Sequence, residues 1–183
     1  MNEIGRDIIR RSKAGDKTAF RTLVLSYQRW LFGLGLKLLC DEEEAKDVVQ
    51  ETLIRVWQHL RDYDERRPFT AWIGTICTRL CMDRLRQLSH RDDSAVDTEL
   101  LDSLTDDETP DRRLEKQELT AVIETLVQGL SPKQRTTFVL VQIEGYDNAT
   151  VSEMTGMSAE QIKSNLYVAR QTIRKRLKQL GYG

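Results

Sequence analysis

The chain has 183 residues, 39% of them hydrophobic and 31% charged, and its charges nearly cancel to a net value of −1. With three prolines and ten glycines, this composition is typical of a soluble, mostly helical protein. Three cysteines without a Cys-x-x-Cys spacing argue against a disulfide framework and favour a reducing cytoplasm. The longest apolar run, 30–40, is interrupted by Lys37 and is too short to cross a bilayer, so neither a secretory signal nor stable membrane insertion is expected.

Apolar residues at three- and four-residue spacing predict four helices in the first half of the chain. The predicted helices cover 3–14, 17–39, 41–60 and 69–88. Gly15 separates the first two, and the polar turn 62–68 precedes the fourth. Asp41 and Glu44 form a capping-box pattern at the start of the third helix.

The third helix has a polar strip opposite an apolar face that includes Val56, Trp57 and Leu60 and is expected to lie against the core. The residues of this strip are Asp47, Gln50, Glu51, Ile54 and Gln58. Such a strip is usually a solvated surface. An apolar Ile54 surrounded by carboxylate and amide groups is also typical of a contact with a partner protein, so both interpretations are kept.

The fourth helix combines aromatic residues near its start with basic residues along its length. Its outer residues are Thr75, Arg79, Arg84 and Arg86. This pattern allows a platform for single-stranded nucleic acid, although Phe69 and Trp72 are expected in the core rather than as stacking partners. The spacing of Cys77 and Cys81 allows a shared metal ion, but two small buried hydrophobes are the favoured interpretation, and no metal site is expected.

An acidic segment divides the chain into two predicted helical modules. Residues 91–113 contain nine acidic and three basic side chains and no aromatic residue, which is the composition of a flexible linker rather than of a core. The sequence therefore predicts an all-α fold of two small helical domains, 1–90 and 114–183, joined by this linker. The second is long enough to form a core of its own.

The second module ends in a predicted helix-turn-helix. Ser131, Pro132 and Gln134 start one helix, after which Asp147 caps a short helix that stops at Gly156. Because Thr150 stands where a capping box requires Glu or Gln, this cap is expected to be weak. A long helix from Ser158 to Leu180 follows, and its window 158–183 holds six basic residues and one acidic residue. DNA binding in the major groove is favoured over a plain helical hairpin with a solvated basic face.

Two combinations of motifs carry a family resemblance. The first is DVVQETLIRVW (Asp47–Trp57) followed by FTAWIGTICTRLCMDRLR (Phe69–Arg86). The second is LSPKQRTTFVLVQIEGY (Leu130–Tyr146) followed by GMSAEQIKSNLYVAR (Gly156–Arg170). In this order and on either side of an acidic linker, they resemble the extracytoplasmic-function sigma factors, the minimal two-domain transcription initiation factors of bacteria. The resemblance covers nearly the whole chain.

The resemblance implies that 1–90 bind core RNA polymerase and melt the minus-ten element of promoter DNA, while 114–183 bind the minus-thirty-five element as duplex. The expected polymerase-binding residues are Asp47, Gln50, Glu51 and Ile54. The expected minus-ten residues are Thr75, Arg79, Arg84 and Arg86. The expected minus-thirty-five residues are Lys163, Ser164, Tyr167, Arg170, Gln171 and Arg174. Arg79 stands where the family commonly has Asn, and Val168 where a basic residue is common, so contacts at these positions are expected to differ.

Regulation by an anti-sigma factor in the bacterial cytoplasm is also implied by the resemblance. No cofactor and no enzymatic activity are expected, because His59 and His90 lie in no nucleophile or metal pattern and no Gly-rich phosphate loop is present. The alternative is a stand-alone dimeric helix-turn-helix regulator. It would explain 144–183 but would leave the polar strip and the arginine-lined helix without a role.

Overall fold

The computed structural model of the chain describes residues 5–91, 122–127 and 129–179. All regular structure in these ranges is helical, which confirms the all-α prediction. The helices are α1 (Arg6–Lys13), α2 (Lys17–Leu39), α3 (Glu42–His59), α4 (Phe69–Arg91), α5 (122–127), α6 (Pro132–Phe138), α7 (Asn148–Thr155) and α8 (Ala159–Gln179). A 3₁₀ turn (Leu60–Asp62) follows α3 and a π-helical segment (Val139–Ile143) follows α6. The predicted linker, 91–113, lies outside the described residues except for its first position.

Polar side chains start most of these helices where the sequence predicts. Ser131 and Ser158 form complete capping boxes with Gln134 and Gln161, each pair exchanging both hydrogen bonds. Asp147 accepts a 2.8 Å hydrogen bond from the amide of Thr150, so α7 has a side-chain cap although no Glu or Gln completes a capping box.

The capping box expected at the start of α3 is half formed. The carboxylate of Asp41 accepts from the amide of Glu44 at 2.9 Å. The Glu44 side chain is directed to α4, where its Oε2 lies 3.5 Å from Nε of Arg84. An interaction between helices therefore replaces the expected local one.

Two of the cap carboxylates make the helices sensitive to acid. The amide of Ala19 and the guanidinium of Arg11 lower the pKa of Asp16, which caps α2, and the amide of Thr150 lowers the pKa of Asp147. A carboxyl group whose pKa is lower in the folded protein than in the unfolded chain stabilises the fold at pH values above its ordinary pKa, near 3.8. This stabilisation is lost as the pH falls through the lower pKa of the folded state.

We therefore expect the double variant Asp16→Asn/Asp147→Asn to lose less stability than the wild type as the pH is lowered from 5 to 3. Asparagine keeps the capping acceptor but does not titrate there. Thermal melts at a series of pH values measure the difference. Glu153→Gln, at an exposed position of α7, is the matched control. Parallel curves for the wild type and the double variant would contradict this assignment.

The first module is built around α2, α3 and α4, which pack against one another. Tyr27 and Phe69 are almost fully buried and their rings meet edge to face, with centroids 5.3 Å apart. Phe69 is thus a core residue, as expected, and Cys77 and Cys81 are also buried. Trp57 was expected on the core face of its helix, but its side chain is 40% exposed and its ring packs against Phe20 at the rim.

The second module packs α6, α7 and α8 together, and it does not stand apart from the first. α4 lies against both α7 and α6. The buried residues of the two modules consequently form one continuous hydrophobic cluster across the described ranges. The sequence did not predict this contact, because the acidic segment between the modules favoured independent domains.

Candidate polymerase-binding and DNA-binding surfaces

The outer strip of α3 is exposed as predicted. Asp47 and Gln50 face solvent, and the side chain of Ile54 is 57% exposed. Glu51 is paired with Arg55 one turn later, at 2.6 Å. Since these positions recur at three- and four-residue spacing, they share one face of the helix. The face presents an isoleucine surrounded by anionic and amide groups, which is chemistry suited to a protein partner.

The four residues predicted for the minus-ten element fall on two different sides of α4. Thr75, Arg79 and Arg86 are four and seven residues apart and share an outward face. Arg84 lies on the other side, half-buried beside Glu44 of α3. The structure therefore brings three of these side chains together and separates the fourth.

Local hydrogen bonds restrain part of the outward face of α4. The hydroxyl of Thr75 donates to the carbonyl of Ala71 at 2.7 Å. Arg86 pairs with Asp83 at 2.9 Å. Arg79, on the same face, is exposed to solvent.

The helix-turn-helix has the geometry that the sequence predicts. α7 ends at Gly156, whose φ of 74° lies in the left-handed region that glycine adopts without strain, and its N–H bonds the carbonyl of Ser152 at 2.8 Å. Met157 is buried in the turn, and Ser158 caps α8. α8 is anchored through one face, and the buried residues of that face are Ile162, Leu166, Ala169 and Ile173.

The opposite face of α8 presents the residues predicted to contact DNA. Lys163 and Ser164 are exposed in the first turns, and the ring of Tyr167 is 63% exposed. The amide of Gln171 donates to the hydroxyl of Tyr167 at 2.6 Å, so the two side chains hold each other in place. The ordered tyrosine hydroxyl still has a hydrogen to donate.

Further along α8, basic side chains border a groove against α6 and the π-helical segment. The groove has a volume of about 460 Å³, and its lining residues are Phe138, Gln142, Arg170, Ile173, Arg174, Leu177 and Lys178. Nε of Arg170 donates to Oε1 of Gln142 at 3.2 Å. Sequence reasoning missed Gln142, whose position as a lone amide in the apolar run 138–143 was the available indication.

Within the described ranges, no helix has the length and apolar character that a bilayer span requires. The same part of the chain contains no group of His, Cys, Asp and Glu suited to a metal ion. Contact with Cys77 and burial both raise the pKa of Cys81, which keeps its thiol protonated.

Comparisons with known proteins identify the family of the chain. The sigma-70 region 2 model matches residues 23–91, and the sigma-70 region 4 model matches residues 120–173. RNA polymerase sigma-H factor of Pseudomonas aeruginosa is 29% identical over 97% of this chain and 96% of its own length. The ECF RNA polymerase sigma factor SigW of Bacillus subtilis is 27% identical over 94% of this chain and 96% of its own.

A solved structure gives the same fold. It contains the sigma factor RpoE in complex with the anti-sigma factor NepR from Bartonella quintana, matches with a TM-score of 0.63 at 22% identity, and covers 87% of this chain and 96% of that one. The chain belongs to the sigma-70 family of RNA polymerase sigma factors. Within that family it is an extracytoplasmic-function sigma factor, an alternative sigma factor that directs transcription initiation. A stand-alone helix-turn-helix regulator would leave the first half of the chain without a role. The sigma-70 region 2 model matches residues 23–91 of that half.

Proposed function

We propose that residues 1–90 bind core RNA polymerase and open the minus-ten element, that 114–183 bind the minus-thirty-five element, and that 91–113 link them. The role is one of binding, without catalysis or cofactor. The observation that carries this proposal is the presence of two exposed surfaces of opposite chemistry. One is the strip around Ile54 on α3, rimmed by Asp47 and Gln50, and the other is the cationic face of α8.

The α3 strip is proposed as the polymerase-binding surface, through Asp47, Gln50, Glu51 and Ile54. Burying the exposed surface of Ile54 against a partner supplies apolar stabilisation. The surrounding carboxylates then select a partner with basic groups, since charge complementarity mainly determines specificity and the rate of association.

For the minus-ten element we propose Thr75, Arg79 and Arg86, which share the outward face of α4. Arg79 and Arg86 supply positive charge to the phosphate backbone of an opened strand. Arg84, which was grouped with them in the sequence, is partly neutralised by Glu44 and is better assigned to holding α4 against α3.

For the minus-thirty-five element we propose that Lys163, Ser164 and Tyr167 reach base edges in the major groove. Their place in the first turns of the second helix is the place from which helix-turn-helix proteins contact bases. Arg170, Gln171 and Arg174 follow one and two turns later. Arg170 and Arg174 contact phosphates in this assignment, with Gln171 keeping Tyr167 in position.

Each module alone has few cationic contacts and should bind DNA weakly, because phosphate neutralisation supplies most of the affinity. Once the first module is bound to polymerase, the second acts at the effective concentration that the linker sets. We further propose that the chain acts in the bacterial cytoplasm and is held inactive by an anti-sigma protein, as the Bartonella quintana sigma factor is seen with its own.

Transcription in vitro from candidate promoters, with core polymerase alone and with the chain added, tests the proposed function. We expect initiation at specific start sites only when both components are present. Specific binding of a dimer of the chain to a palindromic site in the absence of polymerase, without promoter-directed transcripts, would favour the stand-alone regulator instead.

A further inference from the structure

The side chain of Arg170 on α8 is held by an amide group from outside the helix-turn-helix. Its Nε donates to Oε1 of Gln142 at 3.2 Å, and both side chains are exposed to solvent. Gln142 belongs to the π-helical segment that follows α6, 28 positions before Arg170 in the chain. The contact therefore joins two elements that are separate in sequence, and both residues line the groove between these elements.

The π-helical segment is a wide turn that is anchored in the core. The carbonyl of Val139 accepts a 2.9 Å hydrogen bond from the N–H of Glu144, five residues later, which is the bond that defines a π turn. Val139 and Leu140 are fully buried, whereas Gln142 is exposed. Single π turns are rare and are frequently found at functional sites. The segment thus gives one exposed amide group an anchored position beside α8.

An amide group can orient a guanidinium group without neutralising its charge. Arginine carries its N–H donors in one planar group and stays protonated in proteins. The amide oxygen of Gln142 occupies the Nε donor of Arg170, and within the described residues the terminal nitrogens remain available to another acceptor. A carboxylate at position 142 would also orient Arg170, but it would compensate the positive charge.

Arg170 lies where a phosphate is expected if α8 occupies the major groove. Lys163, Tyr167 and Arg170 are separated by four and three residues, so they share one face of the helix. The seven residues from Lys163 to Arg170 correspond to roughly 10 Å of helix. This length is comparable with the width of the major groove, about 12 Å. With Lys163 at the base edges, Arg170 is therefore placed near the phosphates that border the groove.

We propose that Gln142 is a positioning residue for Arg170, which it holds toward a phosphate of the minus-thirty-five element while leaving its charge uncompensated. This inference rests on the proposed binding of that element by α8. Binding to DNA restricts a flexible side chain at a cost in free energy, and a side chain that is already held loses less freedom. Gln142 thereby raises the affinity for all promoter sequences alike, because a phosphate contact carries no information about the bases.

Two substitutions of Gln142 separate orientation from charge. The affinity of holoenzyme, assembled from core polymerase and the full chain, for promoter DNA is measured at several salt concentrations. The slope of log affinity against log salt concentration reports the number of phosphate contacts. Gln142→Ala keeps the charge of Arg170, so we expect an affinity about two- to tenfold lower with an unchanged slope. Gln142→Glu compensates that charge, so we expect the slope to decrease by about 1.

A matched control and variants of Arg170 show whether Gln142 acts through this arginine. Gln28→Glu, the same change at an exposed position of α2, should leave affinity and slope at the wild-type values. Arg170→Lys keeps the charge without the planar group that can bond Gln142 and a phosphate together, so it should behave like Gln142→Ala. In an Arg170→Ala background, Gln142→Ala should cause no further loss of affinity, since the effects of coupled residues are not additive.

Wild-type affinity in Gln142→Ala, an unchanged slope in Gln142→Glu, or additive losses in the double variant would overturn the positioning role. If Arg170→Ala alone decreases the slope by about 1, the proposed phosphate contact stands whatever the Gln142 variants show. If Arg170→Ala binds promoter DNA as the wild type does, both the contact proposed for Arg170 and the role of Gln142 are wrong. Thermal melts of these variants should match the wild type, because both side chains are exposed.

Discussion

Replacing Glu51 by Lys should abolish binding of the sigma factor to core RNA polymerase while leaving its thermal unfolding nearly unchanged. Glu51 lies in the middle of the exposed strip on α3, where its carboxylate borders Ile54. Reversal places a cation where the proposed partner surface is basic, and unfavourable charge pairs across an interface cost several kcal/mol. In the described part of the folded chain Glu51 pairs with Arg55, and such a helix-surface pair stabilises by about 0.3–0.5 kcal/mol.

Two measurements on the same preparations separate binding from stability. Affinity for core polymerase is measured by fluorescence anisotropy of the labelled chain, and stability by a thermal melt. Asp62→Lys is the matched control for the change of charge, because Asp62 is exposed to solvent but lies beyond the end of α3, in the 3₁₀ turn. Wild-type affinity in the Glu51→Lys variant would show that the α3 strip is not the polymerase-binding surface.

Local features of this fold were predictable because they depend on residues close in sequence. The capping boxes at Ser131 and Ser158 and the turn at Gly156 appear where the spacing of side chains predicts them. The buried stripe of α8 also follows from periodicity alone. The same reasoning placed Ile54 and Tyr167 on exposed faces, and both are exposed.

The errors arose where a contact joins distant parts of the chain. Arg84 is seven residues after Cys77 and therefore lies near the buried stripe of α4, but its partner Glu44 is on another helix and no spacing identifies it. Trp57 stands at the edge between the buried and exposed faces of α3, where periodicity does not decide burial. The packing of Gly74 against Met154 depends on an absent side chain and on a neighbour 80 positions away.

Lys163 of α8, the helix proposed to enter the major groove, can have one of two roles, contact with a base or contact with a phosphate, and the two predict different results. If Lys163 donates to a guanine edge, Lys163→Ala should cost about 1–3 kcal/mol on the preferred promoter and relax the preference at one position. If it contacts only phosphate, affinity should fall evenly on all sequences and the salt slope should decrease by about 1. We expect the first outcome, because Lys163 is exposed in the second turn of α8 while Arg170 and Arg174 lie further along, beside the groove.

A series of promoters with single substitutions in the minus-thirty-five element, transcribed at two salt concentrations, measures the difference. Lys133→Ala removes an equally exposed lysine from α6 and should leave both preference and salt slope unchanged. Leu166→Ala is a second control, which shows the effect of destabilising the module without changing a proposed DNA contact. Leu166 is buried beneath the recognition face, so its truncation should destabilise the module by about 2–5 kcal/mol and reduce transcription from every promoter alike. Full activity and unaltered preference of Lys163→Ala on all promoters would show that α8 does not read the minus-thirty-five element through this residue.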